Sequence, residues 1–92
     1  MYKYLRKYFT YIARCADGSY YTGQTDNLIL REKEHNGTGR YPGARYTETR
    51  RPVQIVFSEP WETRAFAMHR EKQLKDLSHK QKEDLVNGVM NY

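Results

Sequence analysis

Tyr8-Phe9-Thr10-Tyr11-Ile12-Ala13-Arg14-Cys15-Ala16-Asp17-Gly18-Ser19-Tyr20-Tyr21-Thr22-Gly23 is the stretch on which the fold turns. Residues 8–15 are aromatic and β-prone and read as a strand; residues 19–23 read as its hairpin partner. Asp17-Gly18 supplies the turn, because glycine tolerates the positive φ such turns require. The register has a chemical consequence. A two-residue loop opposes Arg14 with Tyr21 and sends Tyr21 to the face of Thr10 and Ile12, away from Tyr11. A three-residue loop, Ala16-Asp17-Gly18 with Gly18 as the bulge residue, opposes Ala13 with Tyr21 and puts Tyr11 and Tyr21 on one face. Both loops are common. A shared tyrosine site needs the second, and the second is expected here.

Beyond the hairpin, Thr25-Asp26-Asn27 offers helix N-caps and Asn36-Gly37 a stop, so residues 27–36 are expected to form a short helix. Residues 37–52 read as a long loop, and loops of that length in compact domains are often functional. Val53-Gln54-Ile55-Val56-Phe57 reads as a third strand, able to return beside the first. Thr63 can cap a helix running to Leu77, with Ala67, Leu74 and Leu77 on one stripe. Ser78 with Gln81 matches a capping box that opens a last helix through Asn87. Residues 1–7 read as an N-terminal arm and 8–92 as one domain.

The chain has 92 residues, a size suited to one thin-cored domain. Its net charge of +5 favours a polyanionic partner, with a merely soluble basic surface as the competing reading. The single cysteine, Cys15, cannot form an internal disulfide, and no Cys/His spacing suits zinc. No stretch is long and apolar enough to cross a bilayer, and a cytoplasmic setting is expected. No oligomer is expected either.

Several residues carry candidate chemistry. Tyr11 and Tyr21 read either as core residues with bonded hydroxyls or as two phenols meeting at a phosphate. An unperturbed phenol, with a pKa near ~10, is a poor base at neutral pH, so a neighbouring cation would have to help. Arg31 and His35 lie one helical turn apart. Spacing alone favours a solvated pair; the functional reading is a guanidinium that clamps phosphate and a histidine that relays protons. Glu71 interrupts the Ala67–Leu74–Leu77 stripe, and a carboxylate there has to be paired or metal-bound. It is either in a salt bridge, to Lys75 or Arg31, or a single-carboxylate Mg²⁺ (or Mn²⁺) site. Arg40, Arg45, Tyr46, Arg50 and Arg51 interleave arginine with aromatics in the long loop, as a nucleic-acid-contacting segment does, with a solvated loop as the alternative.

In order and spacing, Tyr11, Tyr21, Arg31, His35 and Glu71 resemble the GIY-YIG nuclease superfamily. The likeness extends to Gly43-Ala44-Arg45-Tyr46-Thr47, Arg50-Arg51-Pro52-Val53 and Arg70-Glu71-Lys72-Gln73-Leu74-Lys75, and points to the small stand-alone bacterial-type branch. The resemblance implies an α+β fold, a three-stranded antiparallel sheet flanked by helices. It implies one-metal hydrolysis of DNA phosphodiesters, in repair or recombination, with Tyr11, Tyr21, Arg31, His35 and Glu71 catalytic and Glu71 holding the ion. It also implies close backbone approach at Gly23, and a protein partner that supplies substrate choice. A nucleic-acid-binding module without activity of its own is the alternative. The chain departs from the family pattern in three places. The first tripeptide reads Phe-Thr-Tyr, Thr22 stands where isoleucine is usual, and Glu32 stands where an apolar residue is common. Glu32 is expected either to pair with a cation or to tilt the helix.

Overall fold

The computed structural model describes residues 8–92; the arm expected over residues 1–7 lies outside them. Strand β1, Tyr8–Cys15, is central, with β2, Tyr20–Thr25, on one side and β3, Val53–Trp61, on the other, all antiparallel. Helices α1, Leu28–His35, and α2, Arg45–Glu48, connect β2 to β3, while α3, Arg64–Lys75, and α4, His79–Val86, follow β3. This is the expected α+β architecture. Several predicted bounds differ: β2 ends at Thr25 and not at residue 23, and α3 ends at Lys75, two residues short of Leu77. β3 runs four residues past Phe57, and the long loop contains the one-turn helix α2.

The hairpin adopts the three-residue loop. Ala13 opposes Tyr21, the Cys15 amide donates to the Ser19 carbonyl at 2.9 Å, and Gly18 takes φ +85. Asp17 closes the turn from outside by accepting from the Ser19 amide and hydroxyl at 3.0 and 2.6 Å. Tyr11 and Tyr21 therefore share a face.

β1 is covered on both faces, which is why Thr10, Tyr11, Ile12 and Ala13 are buried in succession and not in alternation. Tyr11, Ala13 and Cys15 pack with Val53, Tyr21, Leu28 and Ile55 on the α1 side. Ile12 packs with Leu74, Leu85, Phe57 and Leu77 on the other. The Thr10 hydroxyl donates to the Ala67 carbonyl at 2.7 Å and pins α3 to the sheet.

The β3 edge is closed by side chains of α1. Asn36 accepts from the Val53 amide at 2.7 Å and donates to its carbonyl at 2.8 Å, standing in for a neighbouring strand. Opposite Ile12 and Ala13, β3 carries one extra residue, Val56, between the partners Phe57 and Ile55. Beside that bulge the Ile55 amide donates to the Glu32 carboxylate at 2.7 Å. Glu32 thus binds a backbone amide, an outcome that neither of its expected readings contained, and it fixes α1 against the sheet. The capping residues behave as their types predict. Asn27 and Thr63 accept from the amides of Leu30 and Phe66, and the Ser78–Gln81 box is complete.

Candidate functional site

Tyr11, on β1, and His35, on the last turn of α1, are both fully buried and meet at 2.6 Å between the phenolic oxygen and Nε2. The solvated Arg31/His35 pair favoured by spacing alone is therefore not what forms. The imidazole goes into the core, and Arg31 lies half-buried above it. Arg31 donates through Nε to the Tyr11 oxygen at 3.4 Å and through Nη1 to Glu34 at 2.9 Å. A guanidinium carries five N–H groups, so these two contacts orient it without exhausting it. On its far side His35 Nδ1 lies 2.8 Å from the Thr47 hydroxyl, which donates to the Ala44 carbonyl at 3.0 Å.

Burial sets the protonation states. It drives the Tyr11 hydroxyl well above its ordinary range. The hydrogen bond and charge of Arg31 oppose that rise, and the charges of Tyr21 and Glu71 add to it. Burial first, and the positive charge of Arg31 second, push His35 from 6.5 down to about 4. Arg31 is shifted upward: burial acts to lower it, but the bonds to Glu34 and Tyr11 outweigh burial. At neutral pH the site thus holds a neutral phenol, a neutral imidazole and a fixed positive charge.

Tyr21 completes the aromatic wall. Its ring centroid is 6.4 Å from that of Tyr11 and 5.1 Å from that of His35, edge-on to the latter. Tyr46 of α2 stacks on Tyr21 at 6.0 Å, and the Arg50 guanidinium lies 3.9 Å from the Tyr46 ring centre. Gly23, opposite Tyr11 on β2, leaves room for that phenol. A Cβ there would stand 2.6 Å from the Tyr11 oxygen and 2.8 Å from Cζ. The close approach expected at Gly23 is the approach of Tyr11 itself.

Glu71 lies on α3, which packs against β1 and β2, and its side chain is 19% exposed. Its carboxylate is near enough to Tyr11 to push that pKa upward. Of the two salt bridges expected for it, the one to Lys75 forms, at 2.9 Å; Arg31 pairs with Glu34 instead. Among the described residues no three His, Cys, Asp or Glu side chains group as a metal cage. Glu71 is a single, partly exposed carboxylate paired with Lys75, a donor that Mg²⁺ or Mn²⁺, which keep several waters and take substrate oxygens as ligands, could use.

The chain has relatives among known proteins. Residues 7–84 match the GIY-YIG catalytic domain. The chain belongs to the GIY-YIG family. It is 47% identical over 81 residues to a UPF0213 protein of Desulfotalea psychrophila, covering 88% of this chain and 72% of that one. It is 40% identical over 79 residues to a UPF0213 protein of Staphylococcus aureus, covering 86% and 93%. The solution structure of a UPF0213 protein from Bacillus halodurans superposes with a TM-score of 0.53 at 39% identity, covering 87% of this chain and 82% of the other. That of a protein from E. faecalis superposes with a TM-score of 0.58 at 31% identity, covering 96% and 93%. The three-stranded antiparallel sheet flanked by helices is shared with these structures.

Within this GIY-YIG domain the departures from the family pattern can be read physically. Thr10 replaces the usual isoleucine of the first tripeptide and uses its hydroxyl on α3. Thr22, 3% exposed, has no hydrogen-bond partner for its hydroxyl among the described residues, so there the hydroxyl does no visible work. The basic loop is partly committed to the fold. Arg50 binds Asp17 at 3.2 Å and the Tyr46 carbonyl at 2.7 Å, and Arg51 Nε donates to the His35 carbonyl at 2.8 Å. Tyr46 already carries Tyr21 and Arg50 on its ring. Arg40, lying over the exposed Tyr41 at 5.3 Å, and Arg45 face outward. Sequence reasoning did not single out Thr47 or Glu34, and it gave Asn36 only as part of a helix stop. Thr47 lay inside the quoted Gly43–Thr47 match, but a single threonine carries no spacing signal, and its role needs the 12-residue return from α1.

Proposed function

We propose that this GIY-YIG domain, residues 8–92, is a divalent-metal-dependent endonuclease that hydrolyses phosphodiester bonds in DNA. One observation carries the proposal: the buried Tyr11–His35 contact with Arg31 on the same phenolic oxygen. Arg31 would clamp a non-bridging phosphate oxygen and offset the charge that builds in the transition state. Tyr21, whose ring lies beside those of Tyr11 and His35, would position substrate. The raised Tyr11 pKa argues against a free phenolate as base. It fits a phenol that takes the proton of the attacking water as it passes its own to His35. In that step the water oxygen–phosphorus bond forms, the bond to the leaving oxygen breaks, and the leaving oxygen takes a proton from solvent. A Mg²⁺ or Mn²⁺ ion on Glu71 would supply the Lewis acidity that this chemistry uses. Arg40 and Arg45, with the exposed N–H groups of Arg50 and Arg51, would contact the DNA backbone, and Tyr46 would shape the approach to Tyr21. A protein partner would supply substrate choice.

The experiment is cleavage of supercoiled and branched DNA with Mg²⁺ or Mn²⁺, wild type against Glu71→Ala, with chelator as control. Cutting that disappears with chelator and with Glu71→Ala is expected; cutting unchanged in the variant would overturn the roles assigned here. The second reading, a binding module without turnover, is favoured by the pairing of Glu71 with Lys75. Salt-sensitive binding with no metal-dependent cutting would select it.

A further inference from the structure

We infer that Thr47 is a positioning residue that fixes the tautomer of His35, with the proton on Nδ1, so that Nε2 is free to receive the Tyr11 proton. The inference rests on the nuclease reading only for its consequence; the proton assignment stands on geometry alone. Four contacts run in series: Arg31 Nε to the Tyr11 oxygen at 3.4 Å, the Tyr11 oxygen to His35 Nε2 at 2.6 Å, His35 Nδ1 to the Thr47 hydroxyl at 2.8 Å, and that hydroxyl to the Ala44 carbonyl at 3.0 Å. Arginine can only donate and a carbonyl can only accept, so both ends of the series are fixed. A neutral imidazole carries one N–H and a hydroxyl carries one O–H. With the proton on Nδ1, each contact holds one proton and all donate in one direction, from Arg31 toward Ala44: Tyr11 O–H to Nε2, Nδ1–H to Thr47, and Thr47 O–H to the carbonyl. The Arg31 N–H then meets one of the two lone pairs of the phenolic oxygen.

The opposite tautomer fails the same count. With Nε2–H donating to Tyr11, Thr47 has to turn its only proton to Nδ1. Two oxygens, those of the buried Thr47 and the half-buried Ala44, would then face each other at 3.0 Å with no proton between them. Tyr11 would also receive two donors and lose its route for passing a proton inward. The Ala44 carbonyl accepts from the Thr47 amide at 3.2 Å in either case, so the cost of the opposite tautomer is the lost hydroxyl bond and the repulsion of two facing oxygens, which the network as built avoids. The backbone places Thr47 tightly. Gly43 runs against the α1 backbone, where a Cβ would stand 2.7 Å from the Glu34 carbonyl oxygen and 2.7 Å from the His35 Cα. The chain that carries Ala44 and Thr47 is thereby pressed onto His35.

The test is imidazole ¹⁵N spectroscopy of the whole protein, free of DNA and metal, on wild type, Thr47→Val and Thr47→Ser, with cleavage rates measured in parallel. Wild type is expected to show a protonated Nδ1 and an unprotonated Nε2. Thr47→Val removes the acceptor, so His35 is expected to move its proton to Nε2, with kcat falling roughly 10²- to 10⁴-fold, the usual worth of a positioned proton acceptor. Thr47→Ser is expected to restore both readings. A protonated Nε2 in wild type overturns the inference, and so does an Nδ1 proton that persists in Thr47→Val. Should Thr47→Val not fold, the wild-type spectrum alone decides the assignment. The assigned tautomer in a protein that cuts no DNA would leave this network standing and overturn the nuclease reading instead.

Discussion

His35 should make this domain sensitive to mild acid, by an amount that follows from its burial. Its pKa is 6.5 when exposed and about 4 in the folded protein. Between those values the unfolded chain binds a proton on this imidazole that the folded protein does not, so stability rises with pH across the window and is lost as pH falls through it. Above 6.5 both states are neutral and below 4 both are charged, so the contribution is flat on either side. A separation of about 2.5 pH units at 1.36 kcal/mol each amounts to about 3 kcal/mol, of which about 2 kcal/mol is lost between pH 6.5 and 5. A domain of this length has a total stability of roughly 5 to 14 kcal/mol, so the loss is a large fraction. The assay is urea unfolding of wild type and His35→Gln at several pH values from 4.5 to 7.5. The glutamine does not titrate, so the difference between the two proteins separates His35 from His69, His79 and the carboxylates. The wild-type advantage should shrink by about 2 kcal/mol from pH 7 to 5. An advantage constant over that range, or an NMR titration placing His35 near 6.5, would refute the buried, neutral imidazole on which the proton relay depends.

Two further substitutions follow from the hairpin. Gly23→Ala forces a Cβ to within 2.6 Å of the Tyr11 oxygen, so it should cost about 1–3 kcal/mol in urea unfolding and displace Tyr11 from His35; an unfolding midpoint equal to wild type would show that the ring yields freely. Thr22→Val removes a buried hydroxyl without a partner at nearly constant volume and should stabilise by about 1 kcal/mol, visible as a higher Tm; a lower Tm would mean that the hydroxyl has a partner after all.

Much of the fold was legible because it depends on local rules. The strand 8–15, the caps Asn27 and Thr63 and the Ser78–Gln81 box each follow from neighbours a few residues apart; the glycine-bulged turn did not, since two loops were open locally and the shared tyrosine site selected between them. β3 was read short because Ser58, Glu59 and Pro60 lack strand character, yet pairing with Tyr8–Tyr11 carries the strand to Trp61. α2 was read as loop because four residues give no periodicity. Glu32 was read as a residue in search of a cation, since a bulge in a strand 23 residues away cannot be foreseen from its own helix. The five candidate residues could be named from their order; their pairings could not.

Sequence alone determined which groups were available: two phenols on one hairpin, a guanidinium and an imidazole one turn apart, and a carboxylate interrupting an apolar stripe. Their types and spacing are covalent facts, and strand alternation and helix pitch turn them into faces. Only the tertiary structure decided their protonation and partners. His35 stays neutral because the sheet and the returning loop exclude water from it, Glu71 meets Lys75 and not Arg31, and Thr47 closes the network from a segment that local pattern left unassigned. Burial and direction of hydrogen bonding arise when distant segments pack, and no local pattern carries them.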